Sequence, residues 1–201
     1  MTMTTISPLA HQRSATVAEP AATTTDVTTP AAAGTEAVSR SVLAGRWTFS
    51  VVRVALGFTF LWAFVDKLVG LDHATPSARS WLNGGSPTTG FLKGVEGPMA
   101  GFFNNLAGNR LIDWIFMLGL LGIGVALTLG VGMRIAAASA TVMLVLMWMA
   151  SLPITTNPFL DDHLVYAAVI IGLALTHIGD GFSLARRWTA TRLVRRVPVL
   201  R

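Results

Sequence analysis

Four apolar runs follow one another from residue 46 onward, separated by polar stretches of very unequal length. The first covers 46–71, yet its uncharged centre, 54–65, holds only 12 residues, and crossing a bilayer as a helix takes about 20. It can cross only with Arg53 and the pair Asp66-Lys67 inside the boundary. Arg53 and Lys67 are expected to snorkel to opposite surfaces, whereas Asp66 is too short to do so. The second run, 111–131, opens on Asp113 and carries Gly122, Ala126 and Gly130 at i, i+4 and i+8, a stripe that predicts close approach of a neighbouring helix. After a tight turn at Gly132-Met133-Arg134 the third run extends to about 152. Pro153 and Pro158 bound a loop without Lys or Arg, and the fourth run starts at Asp162 or His163 and reaches Gly179, with Ala168 and Gly172 as a second close-packing pair. The pattern predicts an all-α polytopic membrane protein built as a four-transmembrane-helix bundle.

The flanking segments divide the chain in three. Residues 1–45 are rich in Thr, Ala, Ser and Pro without an apolar run, a composition expected of a disordered tail. They carry no signal-peptide pattern, so the first helix is expected to act as the insertion signal. Residues 46–185 form the helical domain, and 186–201 a basic tail. The polar loop 72–110 contains turn-prone Gly-Pro segments and a short amphipathic stretch at 99–107, expected to lie along a membrane surface. Four spans put both termini on one side, together with Arg40, Arg46, Arg134 and the C-terminal arginines. The excess of positive charge makes that side cytoplasmic and the protein a multi-pass component of a cell membrane.

Composition agrees with this reading. Hydrophobic residues make up 52% and charged residues 12%, about half the charged share of a soluble domain. The net charge of +5 comes from 15 basic and 10 acidic residues. Six arginines, Arg186, Arg187, Arg192, Arg195, Arg196 and Arg201, follow the last apolar run with no acid among them. They read as a membrane flank facing lipid rather than as a nucleic-acid surface. Cysteine is absent, which excludes disulfides, thiolate nucleophiles, cysteine-ligated zinc, iron–sulfur clusters and c-type haem.

The predicted topology gathers Asp66, Lys67, His73, Asp113, Asp161, Asp162 and His163 near one end of the bundle. Ionisable groups at that depth need partners or a task. Two readings follow: a proton-handling or quinone-headgroup site, since a histidine and carboxylates in a low dielectric can be tuned to bind and release protons, or a structural ion-pair network. In the first reading Asp66, Lys67, Asp162 and His163 are the catalytic candidates. Asp66 is expected to reach His163 or Asp162, and Lys67 to turn toward Asp113 or Asp161. Tyr166, on the same helical face as Asp162 or His163, and Arg53, a cation for a developing quinol anion, are the cofactor-binding candidates. His163 and His177 stand about 21 Å apart along one helix, too far to share a haem. No haem, flavin, metal, phosphate-loop or serine-triad motif is present, and the cofactor is left open, with a membrane quinone the candidate.

The segments Val52-Arg53-Val54-Ala55-Leu56-Gly57, Trp62 through Asp66-Lys67, the glycine-rich second run, and Asn157-Pro158-Phe159-Leu160-Asp161-Asp162-His163 together resemble the DoxX/DoxD family of small bacterial membrane proteins. The similarity covers about 46–188. It implies a four-helix membrane bundle and, as in some relatives, a membrane subunit of a thiosulfate:quinone oxidoreductase. Other relatives are linked with membrane-associated redox or thiol-stress complexes that include soluble enzymes. A quinone-linked subunit for thiosulfate or another small reductant is therefore the first expectation. A non-catalytic membrane scaffold or anchor for a soluble redox enzyme is the alternative. Membrane lipid, a redox partner subunit and a second copy of the chain are the candidate partners. The site residues rest on the charge argument alone.

Overall fold

The computed structural model describes residues 30–155 and 157–200. All regular structure among them is helical. The first helix, α1 (Pro30–Val69), is 40 residues long. Proline is tolerated in a first turn because its missing N–H would have no helical partner there, and the alanines that follow are strong helix formers. The helix therefore begins well before residue 46, and 30–45, expected in the tail, belong to the first helix. Residues 1–29 of that expected tail lie outside the described residues.

The long loop after α1 is not irregular. It holds two short helices, α2 (Thr89–Lys93) and α3 (Ala100–Leu106), the second at the amphipathic stretch predicted from sequence. Phe103 of α3 is buried with Leu92, Val95 and Ala150, while its neighbour Phe102 is exposed. Three long helices follow, α4 (Arg110–Leu129), α5 (Met133–Ala150) and α6 (Asp162–Thr176). The α4–α5 turn needs left-handed backbone at two positions, and Gly130 (φ 69°) and Gly132 (φ 60°) supply it,. Two five-residue helices, α7 (Ala185–Thr189) and α8 (Arg192–Arg196), end the described chain.

Three of these helices are long and apolar enough to cross a membrane: α1 from Ser39, α4 and α5. The fourth, α6, is apolar but has only 15 residues, a length of about 22 Å against a hydrocarbon core of about 30 Å. The expected fourth span ran to Gly179, but the helix stops at Thr176 because His177 turns into the left-handed region (φ 53°).

The most extensive packing joins α1 to α4 and α5 to α6, with α4 against α5 in between. Leu56 and Phe60 of α1, Met117, Leu120, Ile123 and Leu127 of α4, Ala140 and Leu144 of α5, and Ile170 and Leu173 of α6 share one buried apolar core. Helices α1 and α4 come close around Gly57 and Gly124. A Cβ on Gly57 would lie 2.7 Å from Thr128 N and 3.0 Å from Gly124 O, and one on Gly124 would lie 2.9 Å from Leu61 N. Of the expected stripe, Gly130 is buried against Arg53 and Ser183, whereas Gly122 is not part of the contact. Gly122 and Gly172 have nothing within 4 Å of an added Cβ, and Ala168 is exposed. Many large apolar side chains on the spans, among them Phe58, Ile115, Leu118, Val142 and Leu175, point outward.

Candidate functional site

The two ends of the bundle differ in chemistry, and Arg53 defines one of them. It is 1% exposed. Its Nε donates to Gly179 O at 3.0 Å, and its Nη1 to the carbonyls of Leu127 and, at 3.1 Å, Thr128. Those carbonyls close α4 and follow α6, where unsatisfied acceptors and the negative end of the helix dipole favour a cation. Asp180 adds an attractive charge. Ser50, one turn earlier, donates to Gly179 O (3.0 Å) and accepts from Gly181 N (3.0 Å). Arg53 therefore does not snorkel; it ties α1, α4 and the end of α6 together. Because one side chain touches the C-terminal ends of both α4 and α6, those helices run parallel, with α5 antiparallel between them. Asp66 lies 13 residues farther along α1, about 20 Å away at the helical rise. Arg53 is accordingly at the end of α1 away from Asp66 and Lys67, as expected, which separates it from the groups with which it was a cofactor-binding candidate.

At the Asp66 end the expected constellation separates into three parts. Asp66 is 1% exposed, and neither carboxylate oxygen has a hydrogen-bond partner among the described residues. It makes no bond to His163 or Asp162. The histidine is held locally instead: its Nδ1 is 2.6 Å from Asp161 Oδ2 and 3.6 Å from Asp162 Oδ1. Asp161 caps α6 by accepting from Leu164 N at 3.3 Å. Burial alone would raise the Asp161 pKa, but the hydrogen bonds from His163 and Leu164 N outweigh it and hold the carboxyl below its ordinary value,. One ligand atom from each of Asp161, Asp162 and His163 lies within 4.8 Å of the others. Tyr166 follows on the same helix, partly exposed and without a hydrogen bond among the described residues.

The third part is Asp113, buried at the start of α4, whose Oδ1 accepts from Ser86 Oγ (2.8 Å) and Thr88 Oγ1 (2.6 Å). Ser86 Oγ in turn accepts from Thr89 N and Thr89 Oγ1. A single carboxylate thus organises the hydroxyls of the loop that precedes α2. Lys67 does not pair with Asp113 or Asp161, and no ion pair to it occurs among the described residues.

Lys67 borders a cleft instead. This space of about 1110 Å³ opens between α4 and α5 beneath the loop around 74–92. Its apolar wall is formed by Phe116, Gly119 and Ile123 of α4 and Ala138, Met143 and Leu146 of α5, with the exposed Ile115 and Val142 on its open side. Its upper part carries Thr75, Ser86, Thr88 and Thr89, with Lys67 and Arg79 as the only ionisable side chains on the wall. Sequence reasoning named Lys67 but not the cleft. Asp66, Asp162, His163 and Tyr166 do not line it. The one signal available beforehand was the small residues Gly119, Ala138 and Ser139 on facing helices, which leave room that larger side chains would fill.

No family model matches the chain, and neither does any curated protein or solved structure.

Proposed function

We propose that the chain is a multi-pass membrane protein whose α4–α5 cleft binds a membrane quinone, as the membrane subunit of a quinone-linked oxidoreductase system of the DoxX/DoxD kind. The observation that carries the reading is the cleft itself: an apolar slot along two candidate spanning helices with a cationic, hydroxyl-lined head. Largely apolar pockets with a few convergent polar groups are the usual form of small-molecule sites. An isoprenoid tail fits the Ile115–Leu146 part, and a quinone ring fits under the loop. The Lys67 ammonium donates to a ring carbonyl oxygen there and stabilises the negative charge that develops on reduction. Asp113 acts as a positioning residue by holding Ser86 and Thr88 in place. Reduction to the quinol consumes two electrons and two protons. A partner subunit that oxidises thiosulfate or another small reductant supplies the electrons, since this chain has no cysteine of its own.

Three observations support the membrane setting: the three spanning-length helices, the outward apolar side chains, far more than a soluble monomer exposes,, and the all-helical backbone. In this reading α6 crosses as well, with local thinning of the bilayer, because its end meets the end of α4 at Arg53. Both termini are then on one face, cytoplasmic by the arginine excess.

The test is quinone content. Protein purified in mild detergent from its native membrane is extracted and the quinone quantified per chain. A near-stoichiometric amount is expected in the wild type, a loss in Gly119→Phe, and about tenfold weaker retention or more in Lys67→Met, from one charge-assisted hydrogen bond. Wild-type protein that holds no quinone and takes up none on addition would overturn the proposal.

A further inference from the structure

The C-terminal segment is not the loose basic tail that its composition implies. Leu184 N donates to Leu129 O at 2.8 Å, which fastens the segment to the last residue of α4. Trp188 Nε1 donates to Leu200 O at 2.6 Å and closes the segment on itself. Val194 is fully buried, and the turn at Pro198–Leu200 lies against α5. The segment is a folded cap over the Arg53 end of the bundle.

On this cap Arg186, Arg187, Arg192, Arg195 and Arg196 are all exposed, and no Asp or Glu lies between 181 and 200. None of the five is ion-paired with a carboxylate among the described residues. Between them the cap exposes Leu184, Leu193, Val197 and Val199. A depression of about 470 Å³ is bordered by Arg186 and Arg187, with Ser183, Leu184 and Ala190 completing it.

We infer that this cap is a docking surface for the headgroups of anionic phospholipids, with the phosphate seated between Arg186 and Arg187. Guanidinium groups present paired N–H donors that match phosphate oxygens, and arginines interleaved with exposed leucine and valine form the pattern of an interfacial segment. The position selects lipid over a soluble acidic partner. The cap is bonded to the residue at which the apolar α4 ends, so lipid headgroups are the first surface it meets. The inference rests on the membrane setting proposed above but not on quinone binding.

The experiment uses the full-length chain in mixed micelles of equal phosphatidylglycerol and phosphatidylcholine, with retained lipids counted by native mass spectrometry. The wild type is expected to prefer phosphatidylglycerol at least about tenfold, since each arginine near an anionic surface contributes about a fivefold factor before screening. Changing all five arginines to Gln should bring the preference close to one, and changing all five to Lys should retain most of it. If the five-Gln chain loses helix content, the pair R186Q/R187Q serves, with a preference intermediate between the two. Wild type without preference, or a Gln variant that keeps it, overturns the inference. So does displacement of the lipid by inorganic phosphate alone, which would make this a soluble-anion site. An acidic soluble protein that co-purifies through the same arginines without lipid preference would overturn it in favour of protein docking. A wild type that stays soluble without detergent would fail the membrane setting itself, a result distinct from all of these.

Discussion

Replacing Gly57 with alanine adds one methyl group where α1 packs closely on α4. That methyl carbon would sit 2.5 Å from Thr128 Oγ1, 2.7 Å from Thr128 N and 3.0 Å from Gly124 O. Two of those atoms are backbone, so no rotamer change relieves the contact, and the helices must part by several tenths of an ångström. Overpacking of this kind costs about 1–3 kcal/mol. Alanine also favours a helix over glycine by about 1 kcal/mol, which masks part of the cost in Gly57→Ala alone. Gly122→Ala supplies the control: it carries the same propensity gain, and its added methyl meets nothing within 4 Å. The difference between the two variants isolates the packing term at about 1–3 kcal/mol. At roughly 2–4 °C per kcal/mol for a chain of this size, Gly57→Ala should melt several degrees below Gly122→Ala in detergent. Tryptophan fluorescence or a scattering-based melt reads the gap. Equal melting temperatures, or the reverse order, would refute the α1–α4 contact described here.

Further consequences can be checked separately. Arg53→Met leaves the Leu127 and Thr128 carbonyls without their donor, while Gly179 O keeps Ser50 Oγ, and with about 1–3 kcal/mol for each buried acceptor left unpaired the variant should be strongly destabilised; Arg53→Lys, which lacks the fork that reaches several carbonyls, should rescue little, as a melt of both will show. Asp113→Ala should release the Ser86 and Thr88 hydroxyls, so that amide exchange over 86–92 rises while the centre of α4 stays protected. Asp161 contributes through a folded-state pKa below its ordinary 3.8, so its stabilisation is fully present above about pH 4 and lost as pH falls through the lower folded value. The melting gap between wild type and Asp161→Asn should therefore hold at neutral pH and shrink on acidification below about pH 4.

The order of the long helices was legible because unbroken apolar runs leave little alternative, whereas the Asp161–His163 pair was not expected, His163 having been matched with Asp66 across the bundle. What escaped were contacts between distant segments. The i, i+4, i+8 spacing of Gly122, Ala126 and Gly130 marks a face, but Gly124, two residues into that stripe, faces α1, and its partner Gly57 is a single glycine with no repeat to reveal it. Arg53 reads as a snorkelling cation from its own helix alone; the carbonyls it caps belong to residues more than 70 positions away. Asp113 likewise found hydroxyls 25 and 27 residues back in the loop, a pairing that charge counting cannot see. The helix end at His177 turns on one left-handed residue, and so the fourth run looked longer than the helix it forms.

Photo-cross-linking tests directly whether a quinone occupies the proposed cleft. Membranes containing the protein are irradiated with an azido-quinone carrying an isoprenoid tail, and the modified peptides are mapped. Labels on 115–123 of α4 and 138–147 of α5, competed away by unlabelled quinone and reduced in Gly119→Phe, are the predicted result. Labelling confined to the Asp162–Tyr166 region of α6, or scattered over the lipid-facing surface without competition, would contradict it.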